Sequence, residues 1–385
     1  RVSPSPSWAA CETAEWDPGG GGAGMHENEQ RGTLLPRAFS FFLKRMGKSH
    51  PFMLPADLVN SRELLLIDSG DVTDLLFSSH LVNYFHRNHP QITMTLLVHA
   101  PDAEIAKSVL NIKRMITYER KQMHIYNADY MTLLKKLKKR MVDSAILLGK
   151  GFSLERYLIA FASGAVIRIG FENPLAFPFL NCEIRLTEET YEGNKMSKIL
   201  NSIGMRPDDS WSSISLSQRE MNHAKQLIHF RKPEKDYLTV GIDPGRGKTR
   251  HHVIPEIIAY LANNLASRRK VKFLVLTYPW EDRIIDSFVG SLKSEVIDLK
   301  PGKANETIAL LSQCDLFLSG NTNLFHFAAA LDVPTIGLFT KHDDQKWVPD
   351  GAPSVRIFKG MLGEKLSLKS FFSNVEEVLD ADVKV

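Results

Sequence analysis

Three stretches of this 385-residue chain carry side chains whose types and spacing could do chemistry. The first is "LLLIDSGDV", an apolar run that breaks at Gly70 and Asp71, where a strand should turn into a helix. An aspartate there can be an N-cap, accepting N–H bonds from the first helical turn, or a carboxylate at the mouth of a sheet, able to take a proton. The second is "VGIDPGRGKTRHH", a glycine-rich stretch with cations at Arg246, Lys248 and Arg250. A triphosphate-binding loop has four residues between its first glycine and Gly-Lys-Ser/Thr, whereas five separate Gly241 from Gly247 here. The N–H groups of such a loop must converge on one phosphate cluster, so the extra residue argues against that mechanism and leaves another phosphate-bearing ligand open. The third is "LFLSGNTNLFHFAAA", in which a strand meets the polar turn Asn321, Thr322, Asn323 and then a helix. Free N–H groups at a helix start bind anions, and His326 falls in the first turn, where it either meets a bound phosphate or packs.

The elements that must position these residues alternate along the chain. From Arg62 short β-rich apolar runs alternate with longer helical ones, the pattern of parallel α/β architecture. Strands are expected at "LLLIDSG", "TMTLLVH", "MHIYN", "SAILLG" and "VIRIG", with helices over 72–88, 103–111, 128–142 and 154–163. A polar helical run, 187–234, precedes a second alternation with strands "YLTVGID", "KFLVLTY", "EVIDL", "LFLSG", "TIGLF" and "SVRIF". The expected organisation is a leader over 1–60, a Rossmann-like domain over 61–205, a connection over 206–236, a second Rossmann-like domain over 237–365 and a terminal helix over 366–385. Such domains bind ligands at the carboxyl ends of their strands, which makes the cleft between them the expected site.

Composition narrows the function classes. With 43% hydrophobic and 24% charged residues the chain reads as a globular protein, and a net charge of +4 is too small to argue for nucleic acid. Cys11, Cys182 and Cys314 lie far apart, without metal-site or disulfide spacing, which fits a reducing cytoplasm. No apolar run approaches the ~18 residues of a membrane span, and residues 1–24 lack the basic start and apolar core of a signal peptide. The segment "RAFSFFLKRMGK" could form a short basic amphipathic helix.

The segment "SGNTNLFHFAAALDVPTIGLF" resembles the nucleotide-sugar-binding signature of glycosyltransferase family 9, the heptosyltransferases of lipopolysaccharide core assembly, with the pattern Asp-Thr/Ser-Gly-x-x-His-x-Ala-Ala-Ala-Leu-x-x-Pro-Thr. The matching residues are Thr322, His326, Ala328, Ala329, Ala330, Leu331, Pro334 and Thr335, followed by Trp347 and Pro349. The opening strand, Gly70-Asp71-Val72 turn and helix are similar to the start of the same family. The resemblance implies a GT-B fold, an N-terminal acceptor domain and a C-terminal domain holding a nucleoside-diphosphate sugar, ADP-linked, with inversion, no active-site metal and no cofactor. It implies Asp71 as the base that deprotonates the acceptor hydroxyl. Lys248 is implied as the diphosphate contact with Arg246 or Arg250 as substitutes, Glu281 as the ribose ligand, and Asn321, Thr322, Asn323 and His326 as the donor cradle.

The chain also departs from that pattern. Asn321 stands where the family has aspartate, and Asn323 where it has glycine. Asparagine tolerates the left-handed backbone glycine supplies, so the turn can survive, but a carboxylate is lost. A basic run, "LLKKLKKRM", places Leu134, Leu137 and Met141 on one helical face and Lys135, Lys136, Lys138, Lys139 and Arg140 on the other. In an enzyme with a lipid-linked or oligosaccharide acceptor, that face could contact an anionic membrane from the cytoplasmic side. Two alternatives stand beside the transferase. One is a non-catalytic sugar-nucleotide-binding protein, motivated by Asn321. The other is a dinucleotide-dependent oxidoreductase, against which neither opening strand is followed by Gly-x-Gly-x-x-Gly.

Overall fold

The computed structural model describes residues 51–382 apart from 188–190, 208–213, 215, 232–236, 246–254, 278–284, 298, 300, 341–344, 350–351 and 360–366. Six strands build the first sheet: β1 (Glu63–Ile67), β2 (Thr93–His99), β3 (Arg114–Tyr118), β4 (Ser144–Leu147), β5 (Ile167–Phe171) and β6 (Cys182–Ile184). Their order is β3-β2-β1-β4-β5-β6 and every pairing is parallel. Parallel strands covered on both faces read as near-continuous apolar runs, as "ELLLI" of β1 does. The second sheet has order β11-β10-β9-β7-β8, again all parallel, from β7 (Leu238–Asp243), β8 (Val271–Val275), β9 (Leu316–Ser319), β10 (Thr335–Phe339) and β11 (Val355–Lys359).

The helices are α1 (Ala56–Val59), α2 (Val72–Phe77), α3 (Ser79–Asn88), α4 (Ala103–Leu110), α5 (Ala128–Lys139), α6 (Leu154–Ala162), α7 (Lys195–Ser202), α8 (Gln218–Arg231), α9 (Pro255–Ala266), α10 (Ile285–Ser291), α11 (Ala304–Leu311), α12 (Asn323–Ala330) and α13 (Leu368–Asp382). One continuous apolar core joins the two halves: Leu75, Phe77, Ile105 and Val109 from the first share a cluster with Ile308, Leu311, Leu324 and Phe327 from the second. It forms where α2 meets α12 and α4 meets α11. A separate cluster, with Val240, Leu318, Phe371 and Val375, seals the other face of the second sheet under α13.

Several local expectations shift. The third strand is Arg114–Tyr118, not "MHIYN", because β-branched Ile116 and Thr117 pair with β2 while Met123 to Asn127 follow as turns. The expected long helix over 72–88 breaks at Ser78, whose hydroxyl donates to the Asp74 carbonyl. Among its described residues "EVIDL" contributes a single bridge, Val296 to Phe273, and the short strand β6 was not anticipated. Met141 does not share the buried face of its helix: α5 ends at Lys139, and Met141 lies beyond it with φ +52° and 80% exposed.

The topology locates the site. In the first sheet the chain winds outward from β1 to β3 and then returns to β4 on the other side of β1, so the loops after β1 and β4 diverge from a common point. The second sheet does the same around β7, between β8 and β9. Crevices at such switch points, at the carboxyl ends of the strands, are where open parallel sheets bind ligands. Asp71 follows β1, Gly245 follows β7, and Asn321 to Asn323 follow β9.

Candidate active site

At the first switch point β1 runs into Asp68, a buried carboxylate. It accepts the His99 backbone N–H at 2.9 Å and the Tyr118 hydroxyl at 2.7 Å. The Arg156 guanidinium donates to Tyr118 Oη at 3.1 Å and its Nε lies 3.9 Å from Asp68. Burial pushes the Asp68 carboxyl above its ordinary range, with Arg156 and the donated hydrogen bonds opposing. This platform fixes the turn above it. Gly70 adopts φ +77°, and a Cβ there would lie 2.7 Å from Arg156 Nη2, so glycine answers both the backbone and the close approach. Asp71 then caps α2, its Oδ1 accepting the Thr73 N–H at 2.9 Å, while the residue stays exposed to solvent. The cap reading of Asp71 holds: Oδ1 accepts the N–H at the helix start, and the residue stands at the mouth of the sheet.

Helix α2 is held by charges from elsewhere in the first half. Asp74 pairs with Lys195 at the start of α7, whose ammonium is only 3% exposed and lies 5.6 Å from the centre of the Phe77 ring. Glu192 stands 3.8 Å from Lys195 and 2.6 Å from Lys150, which follows β4. Burial works against the Lys195 ammonium, but Asp74, Glu192 and, more weakly, Asp71 outweigh it and hold its pKa above the usual value. The chain Lys150, Glu192, Lys195, Asp74 thus ties the loop after β4 and the stretch from Glu192 to Lys195 to the helix that Asp71 caps.

The second switch point is lined by hydroxyls. Thr322 caps α12, its Oγ1 accepting the Phe325 N–H at 3.3 Å and donating to Asp243 Oδ2 at 2.6 Å. Asp243, the last residue of β7, also accepts the Gly245 N–H at 2.8 Å and is 2% exposed. Burial raises its pKa to about 6 against the opposing hydrogen bonds from Thr322, Gly245 and Ser319. Asn321 is buried beside Thr322.

The two mouths touch. Thr73 Oγ1, in the first turn of α2, donates to Asn323 Oδ1, at the start of α12, at 2.6 Å. Beneath that bond the His326 ring, 1% exposed, lies edge-on to Phe77 at 5.3 Å and to Phe325 at 5.1 Å, with Trp347 at 5.7 Å. Of the residues singled out in the sequence, Asp71, Asn321, Thr322, Asn323 and His326 therefore converge. Arg246, Lys248, Arg250 and Glu281 lie outside the described residues. Sequence reasoning missed Lys195, Asp243 and Thr73. An acid ending an otherwise apolar strand could have drawn attention to Asp243, but nothing local marks Lys195. The basic run is displayed as expected, with Lys135, Lys136, Lys138, Lys139 and Arg140 exposed and Leu137 buried.

Among the described residues no helix is long and apolar enough to cross a membrane. The family profile of glycosyltransferase family 9 (heptosyltransferase) matches residues 130–369, more than half of the chain. A lipopolysaccharide core heptosyltransferase, OpsX of Haemophilus influenzae, is 23% identical over 296 residues, 75% of this chain and 82% of that protein. Among solved structures, a glycosyl transferase family 9 protein from Veillonella parvula aligns with a TM-score of 0.69 at 14% identity, over 83% of this chain and 97% of that one. The E. coli ADP-heptose lps heptosyltransferase II aligns at 0.67 and 15% identity, over 83% and 99%. At such identities these structures speak to the fold: two Rossmann-like halves in the GT-B arrangement.

Proposed function

The chain belongs to glycosyltransferase family 9 (heptosyltransferase), and on that premise we propose an inverting, metal-independent transfer of a heptose-type sugar from an ADP-linked donor to a lipopolysaccharide or surface-glycan acceptor. The observation that carries this reading is the Thr73–Asn323 hydrogen bond, which sets the helix start bearing Asp71 against the turn proposed to cradle the donor. Asp71 takes the proton of the acceptor hydroxyl. The hydroxyl oxygen then forms its bond to the anomeric carbon as the bond to the diphosphate breaks, and the electron pair leaves on the diphosphate. The free N–H groups at the start of α12 and the cation Lys248, with Arg246 or Arg250 in reserve, stabilise that departing charge. Asn321, Thr322 and Asn323 shape the cradle over the buried His326, and Glu281 accepts the ribose hydroxyls. The name of the E. coli relative, an ADP-heptose enzyme, supports the choice of base and sugar. The exposed cations Lys135 to Arg140 suit an anionic bilayer surface carrying a lipid-linked acceptor.

The test is calorimetric titration of the full chain with ADP, UDP, GDP, CDP and NADH, followed by a transfer assay on Asp71→Asn. The expected result is binding of ADP alone, weakened in Lys248→Ala, and a kcat lowered about 10²- to 10⁴-fold in Asp71→Asn with donor affinity retained. Wild-type turnover by a folded Asp71→Asn protein would remove the base. Binding without transfer or donor hydrolysis over a broad acceptor panel would favour the binding-only protein that Asn321 suggests.

A further inference from the structure

A hydrophobic side chain left singly in water is ordinary, whereas several gathered on one surface mark a contact. Seven large ones are exposed among the described residues, and three of these fall within sixteen positions on or beside α5: Tyr126 at 88%, Met131 at 48% and Met141 at 80%. The helix sets how they are displayed. Tyr130 and Leu137 bury its inner face, which leaves Met131, Lys135 and Lys138 at spacings of four and three along one outward stripe, with Lys139 beside it. That stripe carries no acid: Asp129, the acidic residue of α5, stands two positions from Met131 and points away from it. Tyr126 precedes the helix and Met141 follows it, at the two ends of a segment about 18 Å long at 1.5 Å per residue.

Met141 carries a second observation. It adopts φ +52°, while positive φ elsewhere among the described residues falls on glycines, Asn111 and Asp332, the types that tolerate it. Glycine or asparagine would ease this turn, and an apolar side chain left in solvent repays nothing to the fold. We propose that α5 lies flat on an anionic bilayer, with Tyr126, Met131 and Met141 inserted below the headgroups and the lysines between them at the lipid phosphates. The inference deepens the bilayer contact in the reading above, which invoked only charge. Attraction between exposed charges fades with salt and leaves the protein outside the lipid, whereas apolar tips hold it in place. A protein partner is the poorer fit. The cores of protein interfaces are depleted in lysine, and here lysines separate the tips, with stems able to lie along lipid while their ammonium groups stay at the surface.

The experiment is flotation of the full chain with phosphatidylcholine vesicles, with and without phosphatidylglycerol, at low and at physiological salt. Wild type should bind only the anionic vesicles. A variant carrying Tyr126→Ser, Met131→Ser and Met141→Ser should keep its unfolding temperature, bind them at least about tenfold more weakly, and lose the remainder at physiological salt. Lys135→Gln combined with Lys138→Gln and Lys139→Gln should also weaken binding. As a direct reporter, Met141→Trp should shift its fluorescence to the blue on anionic vesicles, beyond any change in wild type. Equal affinity of the serine variant and wild type would reduce the face to a purely electrostatic one, open to an acidic protein, and overturn the proposal. So would an unmoved Met141→Trp emission, or a wild type that binds no vesicles. The vesicles carry neither donor nor acceptor, so failure here leaves the transfer reading standing, and a failed transfer assay with insertion intact brings down that reading alone.

Discussion

The two sheet mouths are built on opposite electrostatic plans. At the first, charges answer charges across distant segments: Asp68 with Arg156, Asp74 with Lys195, Glu192 with Lys150. At the second, one buried carboxylate is met by hydroxyls and an N–H, and the neighbouring ring of His326 is packed among aromatics. A paired buried charge becomes costly when its partner is deleted, whereas a buried carboxylate satisfied by neutral donors becomes cheaper to bury when it is neutralised. The half that presents the candidate base should therefore depend on its ions for stability, and the half that presents the turn should not.

The sharpest break in that comparison is Lys195→Met, which leaves Asp74 without its cation and Glu192 with Lys150 alone. It should cost about 3–5 kcal/mol in urea unfolding, and a loss under 1 kcal/mol would refute the view that ions hold the first half. The opposite sign is expected at the second mouth. Asp243 has its pKa raised from the ordinary 3.8 to about 6, so its ionisation opposes folding by at most about 3 kcal/mol at 1.36 kcal/mol per unit. The stability it contributes is intact below the unfolded value of 3.8 and lost as pH rises through about 6. The melting temperature of Asp243→Asn should consequently gain on wild type between pH 4 and 7 and hold its advantage to pH 8; a difference independent of pH would contradict this. Smaller again is Gly70→Ala, which at φ +77° should cost about 1–2 kcal/mol, push on Arg156 and lower kcat by moving Asp71. Smallest is the seam: Thr73→Val and Asn323→Gly should each cost about 1 kcal/mol, with a double-mutant cycle recovering most of that as coupling. Additive losses would mean that the bond contributes nothing to joining the mouths.

The alternation of apolar strands and amphipathic helices was legible from the sequence because each element's period is local. Both switch points follow from that alternation, and Asp71 and the Asn321–Asn323 turn were found because each ends a readable strand. β3 was misplaced for a related reason. "RMITY" and "MHIYN" have similar short-range composition, and only pairing with β2 chooses between them. Lys195 was invisible because its partner Asp74 is 121 residues away, and the run around it looks like a polar connection. A lysine reads as solvated until the acids that accept it are in place. Asp243 was passed over for the cations that follow it.

The Thr73–Asn323 bond has a consequence for how this chain can change over generations. Its two residues stand 250 positions apart, one after β1 and the other after β9, yet neither can drift alone without stranding the other's oxygen at a packed seam. Lineages that keep the seam should alter both positions together, and those that restore glycine at 323 should be free to vary 73. The record of that pairing would be written in covariation, in a stretch of sequence where no short motif could have announced it.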